Sequence, residues 1–261
     1  MNLLTHKSLG TFYVSHACFL LFVALLISFL SILPVSAANP QKTIYLNTSA
    51  EPPLTNDKKT GILDQIYTEA FARLGYKVHI SRLSAERAML SVNNGIDDGK
   101  YIKIAGLSRL FPKTLQVTEK SMDYEFVGFS KNIKLQTTGW ETLKPYNVAI
   151  INGWKILEKN IVGTASLKKV KNARLLFGLL DNNRADIVIY ARLEGYALIK
   201  EMGLKGVDVL EPPLATKGMY LYMNEKHKDL VEKVSKTLRE MKEDGAYKKI
   251  FNRAMKPYLE D

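Results

Sequence analysis

The sequence predicts an α/β protein of two lobes, each a mostly parallel sheet flanked by helices, with two hinge crossings between the lobes. Three observations lead there. Strand-like and helix-like patterns alternate almost without interruption from residue 42 to about residue 203. The order strand, helix, strand, helix, strand occurs twice, which is the pattern of parallel sheets covered by helices. One piece of punctuation, Asn-Asn, two residues, Asp, closes the second helix of each series, as VNNGIDD at 92–98 and LDNNRAD at 180–186.

In the first series KTIYLNT (42–48) is a strand by its alternation and β-branched content. GILDQIYTEAFARLG (61–75) is a helix that puts Ile62, Ile66, Phe71 and Leu74 on one face and stops at Gly75. YKVHISRL (76–83) is a strand, Ser84 is placed to cap the helix AERAMLSV (85–92), and GKYIKIAGL (99–107) is the strand after the punctuation. Past a loop with Pro112, DYEFVGFSK (123–131) is a further strand. The second series runs YNVAIING (146–153, buried strand), WKILEKNI (154–161, helix), LKKVKN (167–172, strand), ARLLFGLLDNN (173–183, helix), DIVIYA (186–191, strand) and RLEGYALIKEMG (192–203, helix). Each punctuation ends a helix with Asn or Gly at positive φ and sends the Asp into the next strand. Beyond Pro212-Pro213, KGMYLYMN (217–224) is a strand, and residues 227–255 form two helices separated near Gly245.

A leader precedes all of this. Residues 17–35 are almost wholly apolar, Lys7 is the only formal charge before residue 38, and Val35-Ser36-Ala37 presents small residues, so residues 1–37 read as a cleaved secretory signal. Left uncut, the same run is long enough to span a bilayer. Cys18 is the one cysteine and lies in the leader, so the exported part is expected to hold no thiol, which excludes disulfides and thiolate catalysis. A 46% hydrophobic share is ample for a core, and the formal net charge is +11. In an exported chain that basic balance points away from nucleic acid and toward a membrane surface, anionic small molecules or acidic faces of membrane proteins; a solvated basic surface is the plainer reading.

The order and spacing of PPLTNDKKTGILDQIYTEAFARLGYKV, RAMLSVNNGIDDG, GWK, NNRAD and LVEKVSKTLREMKEDGAYKKIF resemble the bacterial extracellular solute-binding protein family 3 along the whole exported chain. The resemblance implies a two-lobed periplasmic binding protein of type II fold: a first lobe of residues 38–131, a second of 132–216, and a return at 217–261 to the first lobe. Hinges are expected near 130–134 and 215–219. It also implies a periplasmic monomer without a cofactor, whose partners are a small-molecule ligand and an inner-membrane ABC permease or a sensor, with no nucleic acid.

Ligands of α/β folds bind outside the carboxyl ends of the parallel strands. The segments that fall there are 47–53, the helix start around Arg87, 106–109, 152–155 and the end of DIVIYA, so the candidate ligand-binding residues are Glu51, Arg87, Lys103, Arg109, Asn152, Trp154, Lys155 and Tyr190. Free N–H groups at the Gly153 helix start would favour an anion, and Trp154 is either a stacking surface or core. In the resembled receptors an Arg about a dozen residues past the first strand-leading Asp holds the α-carboxylate; counted from Asp97 it is Arg109, without the rest of that motif. Their ammonium-binding Asp falls on Ala191 here, with Tyr190 and Arg192 beside it, and Arg87, Lys103, Arg109, Lys155 and Arg192 all lie in segments expected to approach the cleft. A subgroup reading R-A…G…D-G-E-x-x-R matches Arg87 and Asp98-Gly99, but Lys100 and Lys103 stand where it has Glu and Arg, and lysine does not replace an arginine fork. Arg87 paired with Glu86 or Asp98, and Lys103 as a solvated strand lysine, are the plain alternatives. The resulting expectation is an anionic or neutral polar solute, unless Glu51 replaces the missing Asp.

Enzyme readings find little support. His79 and His227, the two histidines past the leader, lie in no metal-ligand spacing, and no G-x-S-x-G or phosphate loop occurs. Asp97 and Asp98 are adjacent and expected to point to opposite faces. A dehydratase-like enzyme on this fold is the remote alternative, and the chain is expected to be too short for an added domain.

Overall fold

The computed structural model describes residues 42–259, with Ala85 and Glu86 described by backbone alone; the expected signal at 1–37 lies outside the described residues. The strands are β1 (Thr43–Thr48), β2 (Lys77–Arg82), β3 (Gly99–Lys103), β4 (Thr114–Gln116), β5 (Met122–Ser130), β6 (Asn147–Ile151), β7 (Ser166–Val170), β8 (Ile187–Ala191) and β9 (Asp208–Asn224). The helices are α1 (Ile62–Arg73), α2 (Ala85–Asn93), α3 (Lys155–Asn160), α4 (Ala173–Asp181), α5 (Arg192–Met202), α6 (Lys228–Glu243) and α7 (Ala246–Leu259). Among the described residues no helix is long and apolar enough to cross a membrane.

The two series fold alike. β1 lies between β2 and β3, parallel to both, and β6 lies between β7 and β8, parallel to both. The antiparallel strands β9 and β5 join the halves in the order β2-β1-β3-β9-β5-β8-β6-β7, with β4 also on β9. Three cores follow from the patterning. Ile44 and Leu46 of β1 pack with the α1 face of Ile66, Tyr67, Ala70 and Phe71 and with Leu238 of α6. Alternate residues of β6 and β8 serve the two faces of the second sheet: Val148, Ile150, Ile187 and Ile189 on one, Ala149 and Val188 with Phe129 and Phe177 on the other.

The crossings are strands. Met122 and Met219 belong to the first core, Phe126 is buried in the second with Ala215 packed against it, and Tyr124 packs against both. Asp123 to Glu125 stand opposite Gly218 to Thr216 in the antiparallel ladder, between the side chains of the two cores. β9 is also longer than the expected 217–224. It runs through Pro212-Pro213, and the ladder with β5 slips between Phe126 and Gly128, where a residue without an N–H costs no ladder bond.

The repeated punctuation has one job in both halves. Gly95 (φ 74°) and Asn183 (φ 53°) hold the left-handed position after their helices, and Ile96 and Arg184 donate N–H back to Ser91 and Leu179 to close the helix end. Asp98 then donates its N–H to the Tyr45 carbonyl while its carboxylate accepts the Tyr45 N–H (2.8 Å); Asp186 does the same with Asn147 (2.8 Å). The carboxylate thus extends a parallel ladder by one bond. Asp98, not Asp97, is the counterpart of Asp186, so the first copy carries one extra residue. Asp97 instead accepts from Asn47 and Ser91, and the two neighbouring carboxylates diverge.

Candidate functional site

The first-lobe wall is built at the carboxyl ends of β1 and β3. After β1 the chain turns through Ser49, Ala50 and Glu51, and this loop is pinned from below. The buried Asp64 carboxylate accepts from Thr55 Oγ1, the N–H groups of Asn56 and Gly61, and the Tyr101 hydroxyl. Glu51 leaves the loop to accept from Arg82 (2.6 Å).

On β3 the backbone departs from a regular strand. Lys100 stands opposite Tyr222 of β9 and Lys103 opposite Tyr220, so Tyr101 and Ile102 together face Leu221 alone. That is a bulge, and Ile102 sits in it at φ 62°, a left-handed conformation that is strained for a β-branched side chain. The extra residue returns Lys103 to the face that Lys100 occupies, where a regular strand would separate them. Lys100 pairs with Asn47, whose amide donates to Ala88 of α2, so this is the face beneath α2.

Lys100 is fully buried, and its ammonium reaches forward to Ser49 Oγ (3.1 Å). Among the described residues no carboxylate pairs with it. Burial pulls its pKa from 10.5 to about 7, and the Lys103 charge adds to that; burial also lowers Lys103. The Asn47 Oδ1 atom on the same face is buried without a hydrogen-bond donor.

The second-lobe wall is aromatic. Trp154, at the start of α3, stacks on Tyr190 of β8 with ring centroids 5.2 Å apart and planes 18° from parallel, and meets Phe126 edge-on at 5.7 Å. Behind Tyr190, Glu194 of α5 is buried and accepts from the Tyr124 hydroxyl (2.7 Å); burial pushes its carboxyl up to about 7. A cavity of about 350 Å³ is lined by Glu51 and Pro52 from the first lobe and by Ala173, Tyr190, Glu194, Ala197, Leu198 and Glu201 from the second, with Tyr258 of α7.

Of the expected ligand-binding residues, the structure brings Glu51 and Tyr190 to this cavity, with Trp154 stacked behind Tyr190. Lys103 joins Lys100 in the first-lobe wall. Arg87 is exposed on α2 and is not paired with Asp98, which holds Lys226 and His227 instead. Arg109 is exposed in a short 3-10 turn, and Asn152 is exposed at the end of β6. Lys155 is 87% exposed and pairs with Glu158 (2.9 Å).

Two expectations are corrected. The Gly153 N–H is not free for an anion, because Glu158 Oε1 accepts it at 3.0 Å. Arg192 does not offer its charge to the cavity with Glu51; it is held by Glu125 and, through two nitrogens, by Glu211. Sequence reasoning missed the burial of Lys100 and missed Glu194 altogether. For Lys100 a signal existed, since a lysine stood where the resembled subgroup carries Glu.

No known family model matches the chain. It is 24% identical over 207 residues to an uncharacterized protein of Shewanella oneidensis, across 75% of this chain and 76% of that one. Among solved structures, an amino acid ABC transporter substrate-binding protein from Streptococcus pneumoniae bound to L-arginine superposes with a TM-score of 0.64 at 18% identity, covering 84% of this chain and 97% of that one. A histidine kinase sensor domain with similarity to periplasmic binding proteins gives 0.63 at 15% identity, with 84% and 97% covered. The chain therefore has the two-lobed, type II periplasmic binding protein fold.

Proposed function

We propose that the protein is an exported solute receptor that closes its two lobes on a small polar or anionic solute and presents it to an inner-membrane ABC-type permease. The observation that carries this reading is the cavity lined by Glu51 and Pro52 from one lobe and by Ala173, Tyr190 and Glu194 from the other, because a solute touching both walls stabilises the closed form. The lobes, 42–122 with 219–259 and 126–215, would turn about residues 123–125 and 216–218, where the crossing strands leave one core for the other. The candidate contacts that line the cavity are Glu51 and Tyr190, with Trp154 stacked on Tyr190; Lys103, at the end of β3, and Arg87, Arg109, Asn152 and Lys155 would reach the solute only by moving. Residues 1–37 would direct export to the periplasm, where the receptor works as a monomer.

A second reading is a periplasmic sensor that passes closure to a signalling partner, and the likeness to a histidine kinase sensor domain favours it. Both readings are tested by a thermal-shift panel of amino acids, dicarboxylates, short peptides and sugar acids on the purified protein. A receptor gains melting temperature with at least one class and returns that compound unchanged. Turnover of the compound would overturn both readings in favour of an enzyme. A permease and ATPase encoded beside the gene would select uptake; a sensor kinase would select signalling.

A further inference from the structure

We infer that the bulge at Ile102 builds an oxyanion site in the first-lobe wall, in which Lys100 and Lys103 converge beside Ser49 to hold the carboxylate of a small organic acid. The inference rests on the receptor reading above and assigns the polarity of its first-lobe contacts.

Four observations support it, and the first two are matters of geometry. Residues three apart on a regular strand face opposite sides, and the extra residue is what puts both lysines on the face beneath α2. The left-handed φ of Ile102 is unfavourable for a β-branched residue, and the bulge that requires it is what brings the two lysines to one face. Third, Lys100 is fully buried with one neutral partner, Ser49 Oγ, and two ammonium protons left over. A buried charge without a counter-charge is costly, and proteins normally pair it. Fourth, the nearby groups supply no counter-charge. Lys103 is cationic, Tyr220 and Tyr222 face the pair from β9, Asn47 of β1 and Ser49 just after it are the neighbours on the other side, and Asp97 is engaged with Asn47 and Ser91.

An incoming carboxylate would supply what is missing. It would accept from both ammonium groups and from Ser49, and closure of the lobes would bring the Tyr190 ring, stacked on Trp154, as an apolar surface to the organic part. Because burial has brought Lys100 to about 7, the anion would also draw a proton onto it, so binding at pH 8 takes up protons. Carboxylate, phosphate and sulfate share this oxyanion chemistry, and the aromatic wall is the reason to choose an organic acid.

Calorimetric titration of the full protein at pH 8, in two buffers of different ionisation enthalpy, tests the assignment. The probes are succinate, citrate, acetate, inorganic phosphate, sulfate, L-arginine and glucose. The expected result is tightest binding of an organic carboxylate with proton uptake. Lys100→Met and Lys103→Met should each weaken it by 10-fold or more, and the exposed Lys248→Met should leave it unchanged. Binding of phosphate or sulfate alone would overturn the organic-acid assignment. Binding of arginine or glucose with no loss in either lysine variant would overturn the oxyanion site and leave the receptor intact. No binding by any probe or by the wider panel would overturn the receptor reading and this inference with it.

Discussion

Two buried titratable side chains give the site opposite pH signatures. Glu194 has its carboxyl raised from 4.5 to about 7, chiefly by burial. Below about pH 4.5 it is protonated both folded and unfolded and costs nothing. As pH rises from 4.5 to 7 the unfolded chain ionises first and stability falls, by up to about 1.4 kcal/mol per pH unit. Lys100 is lowered from 10.5 to about 7, so the sign reverses: its burial cost is complete below pH 7 and disappears as pH rises toward 10.5. Chemical denaturation across pH should therefore show Glu194→Gln gaining roughly 2–3 kcal/mol over the parent at pH 8 and nothing at pH 4. Lys100→Met should gain most at pH 6 and least at pH 10. Equal gains at all pH values would mean that neither group is buried as a charge. Glu194 was not visible in the sequence, and for Lys100 the one signal was a lysine standing where the resembled subgroup carries Glu. Burial of a charged side chain depends on which element packs over it, and local pattern does not record that.

At the scale of elements, the strand and helix order was legible because every core face follows its own period. The α1 face at 62, 63, 66, 67, 70 and 71 and the alternation of β6 and β8 are written in side chains that pack locally. The punctuation was legible as a repeat but one residue out of step, since an Asn-Asn pair in each copy hides that the left-handed position falls on Gly95 in one and Asn183 in the other. The β3 bulge was not legible, because an isoleucine is the last residue expected at positive φ and the segment 99–107 reads as an ordinary alternating strand. The long β9 was missed for a related reason, as Pro212-Pro213 signals a break that the slip opposite Val127 absorbs. The bulge yields a direct prediction. Ile102→Gly removes the backbone strain and part of a side chain that packs on the first core, so stability should change by no more than about 1 kcal/mol either way, and anion affinity should persist. Deleting Ile102 restores the regular period and turns Lys103 to the other face. Anion affinity should then fall at least as far as in Lys103→Met, with the far-ultraviolet circular dichroism of the parent retained. If the deletion binds normally, the bulge has no part in the site.

At the scale of the whole molecule, the proposed closure requires a place to bend. Two antiparallel strands tie the lobes together, and a paired ribbon turns one core against the other where its residues lie between them. Residues 123–125 and 216–218 lie there, between Met122 and Met219 of the first core and Phe126 and Ala215 of the second, with Tyr124 packed against both cores. Residues 130–134 lie instead within the second half, where Ser130 is buried and its hydroxyl donates to the Asp186 carbonyl at 2.7 Å and accepts from the Ile133 N–H at 3.0 Å. A solute held by both walls should therefore close the lobes as rigid bodies about the first pair of segments. At 100 times its dissociation constant it should add about 2.7 kcal/mol to stability. Small-angle scattering should show a smaller radius of gyration with ligand. Hydrogen exchange should change at 123–125 and 216–218 and along the loop at 49–53, while 130–134 keeps its protection. Compaction with the exchange change confined to 130–134 would move the hinge back to the end of β5, and a stabilising ligand without compaction would mean that the solute binds one lobe alone.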